Sequence, residues 1–209
     1  MKARNTPDTI IEKIYNNQEK IFSNIDKESV DTYQWLNTAY NSGGIDHNRV
    51  FQFVFRSYYR LDGAGLSQNQ KRTFFDLMTN KIRDLEKILD ALYQLPTLRG
   101  NNTIQFSFAT KLIHTIDNNE PIFDAEVSNV IQRRVAGNNK EQKIQSCVEL
   151  YNFLKSLYLK LLSDDKIKEL ISIFRKEFGV NKYQVSDIKI LDFIVWTLGK
   201  LEKMENKIS

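Results

Sequence analysis

The chain has 209 residues, a length that one domain or two small, closely packed lobes would fill. Hydrophobic residues make up 41% of the sequence and charged residues 27%, which excludes a disordered chain and permits a packed core. Three prolines and eight glycines leave long uninterrupted segments, which favours helices over a turn-rich β-sandwich. We therefore predict an all-α fold.

The counts of cysteine, histidine and charge limit the possible chemistry. A single cysteine, Cys147, excludes a disulfide framework and a four-cysteine metal or iron–sulfur site within this chain. Two histidines cannot form a three-histidine centre, and neither His47 nor His114 stands in an HExxH motif, so we expect no metal and no cofactor. The formal net charge of +4 is compatible with a nucleic-acid partner without proving one.

The sequence also predicts where the protein resides. The amino terminus, Met1 to Asp8, lacks the apolar centre of a signal peptide. No later stretch has the run of about 18 apolar residues that a membrane span needs. We expect a soluble cytoplasmic protein, associated with the nucleoid in a prokaryote and not with a membrane.

Apolar spacing predicts the first helices in chain order. One amphipathic helix is expected from Pro7 to Phe22, and a short helix over 30–36. The segment 41–44 then breaks the chain. Asp46 is expected to cap a helix over 50–59 that is apolar on more than one side and central to the core.

The middle of the chain contains its clearest interruption. The segment 67–93 has helical spacing throughout and is interpreted as one long helix or two. The stretch 95–102 combines proline, glycine and two asparagines, which together disfavour a helix. We place a division between two lobes near residues 95–104.

Further helices are predicted in the second half. One lies near Ser107–Ile116, and another starts at about Asp124. A long helix follows over 141–162, and residues 163–165 supply the cap of the next. Ser186 and Asp187 then begin the last helix.

The stretch from Phe106 to Val127 holds the residues that point to chemistry. The pair Thr110–Lys111 lies near the start of one predicted helix, and Asp124 lies at the start of the next. This pattern resembles the helix-hairpin-helix DNA glycosylases that have lyase activity, and it is most similar to the 8-oxoguanine DNA glycosylases of the compact archaeal type. The resemblance implies that Lys111 attacks the sugar and that Asp124 stabilises the reaction centre, in a cleft between two helical lobes.

Glycosidic chemistry explains why an amine and a carboxylate should be neighbours. Breaking an N-glycosidic bond develops positive charge on the deoxyribose, which the Asp124 carboxylate would stabilise. A neutral Lys111 amine could attack C1′ and form a Schiff base that permits elimination of the 3′-phosphate. The intervening segment is long enough for about two helical turns, a reversal and a return to one site.

A structural interpretation of the same residues stays open. Asp124 could simply cap a helix, and Lys111 could be a solvated lysine of an amphipathic segment. His114 follows Lys111 by about one helical turn and could either face the pocket or be a hydrogen-bonded core histidine. We leave His114 out of the catalytic set.

A second match lies on the last predicted helix. Asp192 and Trp196 are spaced to share one helix face. In the archaeal-type 8-oxoguanine glycosylases a carboxylate and a tryptophan at this spacing help to bind the extruded base. The resemblance implies that Trp196 stacks on the base and that Asp192 accepts hydrogen bonds from its edge. A buried tryptophan beside a satisfied aspartate is the structural alternative.

Basic residues are candidates for phosphate contacts. The residues predicted for this role around the loop 136–139 are Arg133, Arg134, Lys140 and Lys143. Elsewhere in the chain the further candidates are Arg56, Arg60 and Arg99. A solvated basic loop is the alternative. The Leu-Pro-Gly-Val-Gly hairpin with which this superfamily grips phosphate is replaced here by residues 95–100.

The resemblance therefore implies one glycosylase-like unit over residues 1–209. Its predicted activity is excision of a damaged or modified base from double-stranded DNA by a monomer without a cofactor, through a lysine Schiff-base intermediate. The resemblance implies that the base is 8-oxoguanine. Two other classes of protein remain open, namely a non-catalytic helical DNA-binding or protein-interaction module and a purely structural all-α protein.

Overall fold

The computed structural model describes residues 5–208, with side chains through residue 206. This part of the chain holds eleven α-helices and no β-strand, which confirms the all-α prediction. Residues 1–4, on which the signal-peptide prediction partly rests, lie outside the described residues. The helices are α1 (Pro7–Asn16), α2 (Gln18–Ser23), α3 (Lys27–Asn41), α4 (Arg49–Tyr58), α5 (Gln68–Thr79), α6 (Leu85–Tyr93), α7 (Phe106–Ile116), α8 (Ala125–Ile131), α9 (Lys140–Ser163), α10 (Asp165–Phe178) and α11 (Asp187–Ile208).

The amino-terminal segment forms two helices where one was predicted. Thr6 caps α1 through a hydrogen bond from the Thr9 amide, and Pro7 occupies the first turn. The helix then stops at Asn17, whose side-chain amide donates to the carbonyl of Lys13. This side-chain bond satisfies a carbonyl at the helix end and favours the break, a local competition that apolar spacing does not reveal.

The prediction for α4 is wrong in two respects. Asn48, not Asp46, caps the helix by accepting a hydrogen bond from the Phe51 amide. Val50 and Phe53 are 63% and 62% exposed, so the helix is not surrounded by the core. Only the opposite stripe, which includes Phe51, is fully buried.

The segment 67–93 forms two helices, α5 and α6. Ser67 and Gln70 make a reciprocal capping box at the start of α5. The Gln70 side chain also donates to the carbonyls of Leu92 and Leu95, and so ties α5 to the end of α6. At the carboxyl end of α5, Lys81 takes a positive φ of 53° and reverses the chain.

The predicted interruption near residues 95–102 lies within the loop between α6 and α7. Buried apolar side chains from every helix of the described chain belong to one continuous cluster. A division into two lobes near 95–104 stays a prediction. No helix among the described residues is long and apolar enough to cross a membrane.

Candidate functional site

A cavity of about 770 Å³ lies where the end of α4, the helices α7, α8 and α11, and the link between α2 and α3 meet. Its size falls within the roughly 300–1,000 Å³ of small-molecule sites. Two of its walls carry most of the polar groups. We call residues 107–126 the α7–α8 wall and residues 189–200 the α11 wall.

Lys111 belongs to α7 and lines the cavity on the α7–α8 wall, where its side chain is buried. Its Nζ donates to the Ser107 hydroxyl at 3.0 Å and lies 5.1 Å from the ring centre of Phe108. Burial lowers the pKa of Lys111 below its usual value, and the negative charges of Asp124 and Asp192 oppose this shift. Lys111 therefore loses its proton more readily than a solvated lysine does.

Asp124 lies on the same wall and caps α8. Its Oδ1 accepts hydrogen bonds from the amides of Glu126 and Val127 at 2.9 and 3.1 Å. Its Oδ2 accepts no hydrogen bond from a described residue. Asp124 and Lys111 form no ion pair, although both line the cavity and interact electrostatically. The carboxylate is thus both a helix cap and a group that faces the cavity.

Thr110 explains how these two residues come together. Its hydroxyl accepts a hydrogen bond from the Phe123 amide at 3.0 Å. The same hydroxyl is within donating distance of the carbonyls of Ser107 and Phe123, at 3.0 and 3.2 Å. Since Lys111 follows Thr110 and Asp124 follows Phe123, this buried contact places the amine and the carboxylate beside one cavity.

Gly199 fixes the start of α8 against α11. A side chain added at Gly199 would place its Cβ 2.8 Å from the carbonyl carbon of Glu126, closer than Cβ atoms are found. Only glycine lets the two backbones approach in this way. The close crossing holds the Asp124 cap against the α11 wall.

One face of α11 lines the cavity. Asp192 and Phe193 follow Lys189 by three and four residues, Trp196 follows Asp192 by four, and Lys200 follows Trp196 by four, so these residues share one face. Trp196 is partly exposed at the cavity, and the Lys200 ammonium lies 5.6 Å from its ring centre. The tryptophan is thus available to a ligand rather than enclosed by the core.

Asp192 is not alone in the cavity, because Lys189 donates to its Oδ2 at 2.8 Å. Only 4% of the Lys189 side chain and 8% of the Asp192 side chain are exposed. Burial raises the pKa of Asp192, and the charge and hydrogen bond of Lys189 oppose that shift.

Lys189 was not identified from the sequence as a residue of the site. The signal available was a lysine and an aspartate one turn apart within an otherwise apolar segment.

Of the residues predicted to contact phosphate, Arg60 lines the cavity, whereas Arg56, Arg99, Arg133, Arg134, Lys140 and Lys143 do not. Arg99 and Arg134 are exposed, and the Arg133 guanidinium carbon lies 3.7 Å from the ring centre of Phe153. Lys140 forms an ion pair with Asp90. None of these four basic residues lines the cavity.

Arg60 is a basic residue that does line the cavity. It lies just beyond α4 with a positive φ of 58°, is exposed, and forms no ion pair with a described residue. Beyond Lys111 and Lys189, the cavity also contains Lys200. Like Arg60, Lys200 forms no ion pair with a described residue.

His114 belongs to the core behind Lys111. Its Nδ1 donates to the Glu120 carbonyl at 2.6 Å, because a carbonyl can only accept, and its Nε2 therefore accepts from the Tyr33 hydroxyl at 3.0 Å. Burial lowers the pKa of His114 to about 3. The ring is neutral at physiological pH and does not line the cavity.

The described residues contain no cluster of metal ligands. No group of three or more histidine, cysteine, aspartate or glutamate side chains there could hold a metal ion. Cys147 is buried, which raises the pKa of its thiol to about 12.

Comparison of the chain with models of known protein families, with curated proteins and with solved structures gives no match.

Proposed function

We propose that this protein is a DNA glycosylase with lyase activity that removes a damaged or modified base. One observation carries the proposal: a buried lysine amine and a carboxylate, Lys111 and Asp124, line one cavity and are held there by the Thr110–Phe123 contact. Desolvation favours the nucleophilic form of the amine. The free Oδ2 of Asp124 is available to a positively charged sugar.

The reaction follows from these two groups. The Lys111 amine attacks C1′ of the deoxyribose while the glycosidic bond breaks and the base leaves with the bonding electrons and takes up a proton. Asp124 stabilises the positive charge that develops on the sugar and accepts the proton that the attacking nitrogen loses. Return of this proton from Asp124 to O4′ opens the ring and gives a protonated Schiff base. The regenerated carboxylate then accepts a C2′ proton as the 3′-phosphate leaves with its bonding electrons.

The α11 wall would hold the extruded base. Trp196 offers an aromatic face, and Asp192 offers a carboxylate oxygen for hydrogen bonds from the base edge. The cavity is large enough for a small aromatic ligand. We propose 8-oxoguanine as the base, in keeping with the resemblance of the sequence.

The partner in this proposal is double-stranded DNA, bound by a monomer in the cytoplasm across a cleft between two lobes. Arg60 and Lys200 are the cavity residues with charge available for the phosphates beside the extruded nucleotide. Arg99, Arg133, Arg134 and Lys140 remain candidates for contacts further along the duplex. Lys140 would first have to leave Asp90.

The proposal is tested with duplexes that each carry one defined lesion, 8-oxoguanine among them. Base release and borohydride-trapped adducts are measured for the wild type, Lys111→Gln and Asp124→Asn. We expect both products from the wild type, no adduct from Lys111→Gln, and no base release from Asp124→Asn. Lys81→Gln is the matched control, because Lys81 is an exposed lysine outside the cavity.

Other outcomes identify the other classes. Release of free base without any adduct would indicate a glycosylase that lacks lyase activity. Salt-sensitive DNA binding without base release would indicate a non-catalytic DNA-binding module. If changes at Lys111 and Asp124 affect only stability, the protein is structural and the proposal is wrong.

A further inference from the structure

The ion pair between Lys189 and Asp192 is a costly feature of the cavity wall. Both side chains are more than nine-tenths buried, and their charged atoms are 2.8 Å apart. Desolvating two charges consumes much of what their attraction returns, so such a pair is weak evidence for a role in stability. Its position on the cavity face of α11 suggests a role toward a ligand.

The pair leaves hydrogen-bonding capacity unused. Asp192 accepts from Lys189 through Oδ2 alone, and its Oδ1 accepts no hydrogen bond from a described residue. The Lys189 ammonium has three N–H groups and makes this single hydrogen bond. Its remaining contacts are with the rings of Phe193 and Tyr33, whose centres lie 4.4 and 5.0 Å from Nζ. The cavity therefore presents an acceptor beside a donor.

We propose that Lys189 is a positioning residue that keeps Asp192 ionised as a hydrogen-bond acceptor, and that the bound base presents an N–H group beside a carbonyl. The N–H would donate to Asp192, and the carbonyl would accept from Lys189. This inference rests on the proposed function, since that function brings a base into the cavity. A base whose edge has two acceptors would place one acceptor against the Asp192 carboxylate, and the repulsion between their lone pairs would disfavour binding of that base.

The surroundings of Asp192 explain why it needs Lys189. Burial and the charge of Asp124 favour the protonated carboxyl, whereas Lys189 and Lys111 favour the carboxylate. Loss of Lys189 removes the nearest charge that favours the carboxylate, and a protonated Asp192 would donate its own proton, which reverses the pattern that the base must match. The other titratable groups coupled electrostatically to Asp192 come from α3, the end of α4 and α9, namely Tyr33, Tyr58, Tyr59 and Tyr158.

The ionisation state can be measured without any assay of function. Carbon-13 NMR of labelled aspartate carboxyls, with Asp192→Asn to assign the signal, gives the titration of Asp192 directly. We expect a carboxylate at pH 7 in the wild type and an upward shift of at least about 1 pH unit in Lys189→Met. If that variant does not fold, the wild type decides, because a protonated Asp192 at pH 7 overturns the proposal.

Base release from an 8-oxoguanine duplex tests the second half. Lys189→Met should lose activity about tenfold for each unit by which the pKa of Asp192 exceeds the assay pH, and regain it as the pH rises. Lys189→Arg keeps the positive charge and should restore the profile. Lys176→Met changes an exposed lysine on α10 and serves as the control. A loss of equal size at every pH would overturn the positioning role.

The two proposals fail in different ways. A wild type that releases no base from any lesion ends the proposed function and, with it, the assignment of a base to the pair. The NMR titration would still show whether Lys189 keeps Asp192 ionised. If the wild type releases base and the pKa of Asp192 is the same in Lys189→Met as in the wild type, the proposed function stands. The positioning role of Lys189 is then excluded.

Discussion

The two walls of the cavity each bury a lysine, and the two lysines have different surroundings. Lys111 on the α7–α8 wall donates to a serine hydroxyl and has no carboxylate in contact, so burial favours its neutral amine. Lys189 on the α11 wall donates to the Asp192 carboxylate at 2.8 Å. Burial alone therefore does not decide what a lysine does. In our proposals the immediate partner separates the two roles, with Lys111 as the nucleophile and Lys189 as a positioning residue.

The largest structural effect is expected at Gly199, where the two walls meet. Gly199→Ala should lower the free energy of unfolding by about 3 kcal/mol, because its Cβ would collide with the backbone of Glu126. The shift of α8 should also displace Asp124 and reduce base release. Urea unfolding measures the first effect.

Gly63→Ala is the control for this prediction. A Cβ at Gly63 would lie 3.8 Å from the Arg60 carbonyl oxygen, an ordinary contact, and its φ is not positive. Its free energy of unfolding should stay within about 0.5 kcal/mol of the wild type. Equal stability of the two glycine variants would contradict the close crossing of α8 and α11.

A smaller effect is expected within the α7–α8 wall. Thr110→Val should cost about 1.5 kcal/mol of stability, since it leaves the buried Phe123 amide without its acceptor. Base release should fall further than stability explains, because Asp124 loses its fixed distance from Lys111. Thermal unfolding and single-turnover kinetics give the two quantities.

Thr115→Val provides the comparison on the same helix. The Thr115 hydroxyl donates only to the Lys111 carbonyl one turn earlier, so its loss leaves the link between α7 and residue 123 intact. Activity should be close to that of the wild type. If both threonine variants lose activity equally, Thr110 has no special part in positioning the site.

The smallest effect, and one of opposite sign, is expected at Arg60. Its left-handed backbone costs about 1 kcal/mol relative to glycine, so Arg60→Gly should stabilise the fold. The same change should weaken DNA binding and reduce its dependence on salt. Calorimetry and titrations at several salt concentrations measure both.

Lys81 offers a matched control for Arg60. Both residues follow a helix with a positive φ, and in both cases the amides of the residue and its successor bond back to that helix in the same pattern. Lys81 does not line the cavity. Lys81→Gly should therefore stabilise the fold equally and leave DNA affinity unchanged, and equal losses of affinity would exclude a specific role of Arg60.

The fold was more predictable than the partners of the site residues. Periodicity placed most helices because an apolar stripe of period 3.6 must face a core. It failed at Asn17 and Asn48, where side-chain hydrogen bonds set the helix ends. It also placed Val50 and Phe53 in a core that they do not reach.

The site shows the same limit. Lys111, Asp124, Asp192 and Trp196 were named from the sequence, and all four line the cavity. Lys189 was missed because the role of a lysine within an apolar helix cannot be inferred until its hydrogen-bond acceptor is known. Such pairings depend on tertiary contacts and not on spacing.

The most direct test of the proposed function is whether a lysine becomes bonded to DNA and which lysine it is. A borohydride-reduced complex with a lesion-bearing duplex can be digested with protease, and the modified peptide located by mass spectrometry. The proposed function predicts that the sugar is attached to Lys111 and that Lys189 is unmodified. Attachment to Lys189, or the absence of any adduct with every lesion, would contradict it.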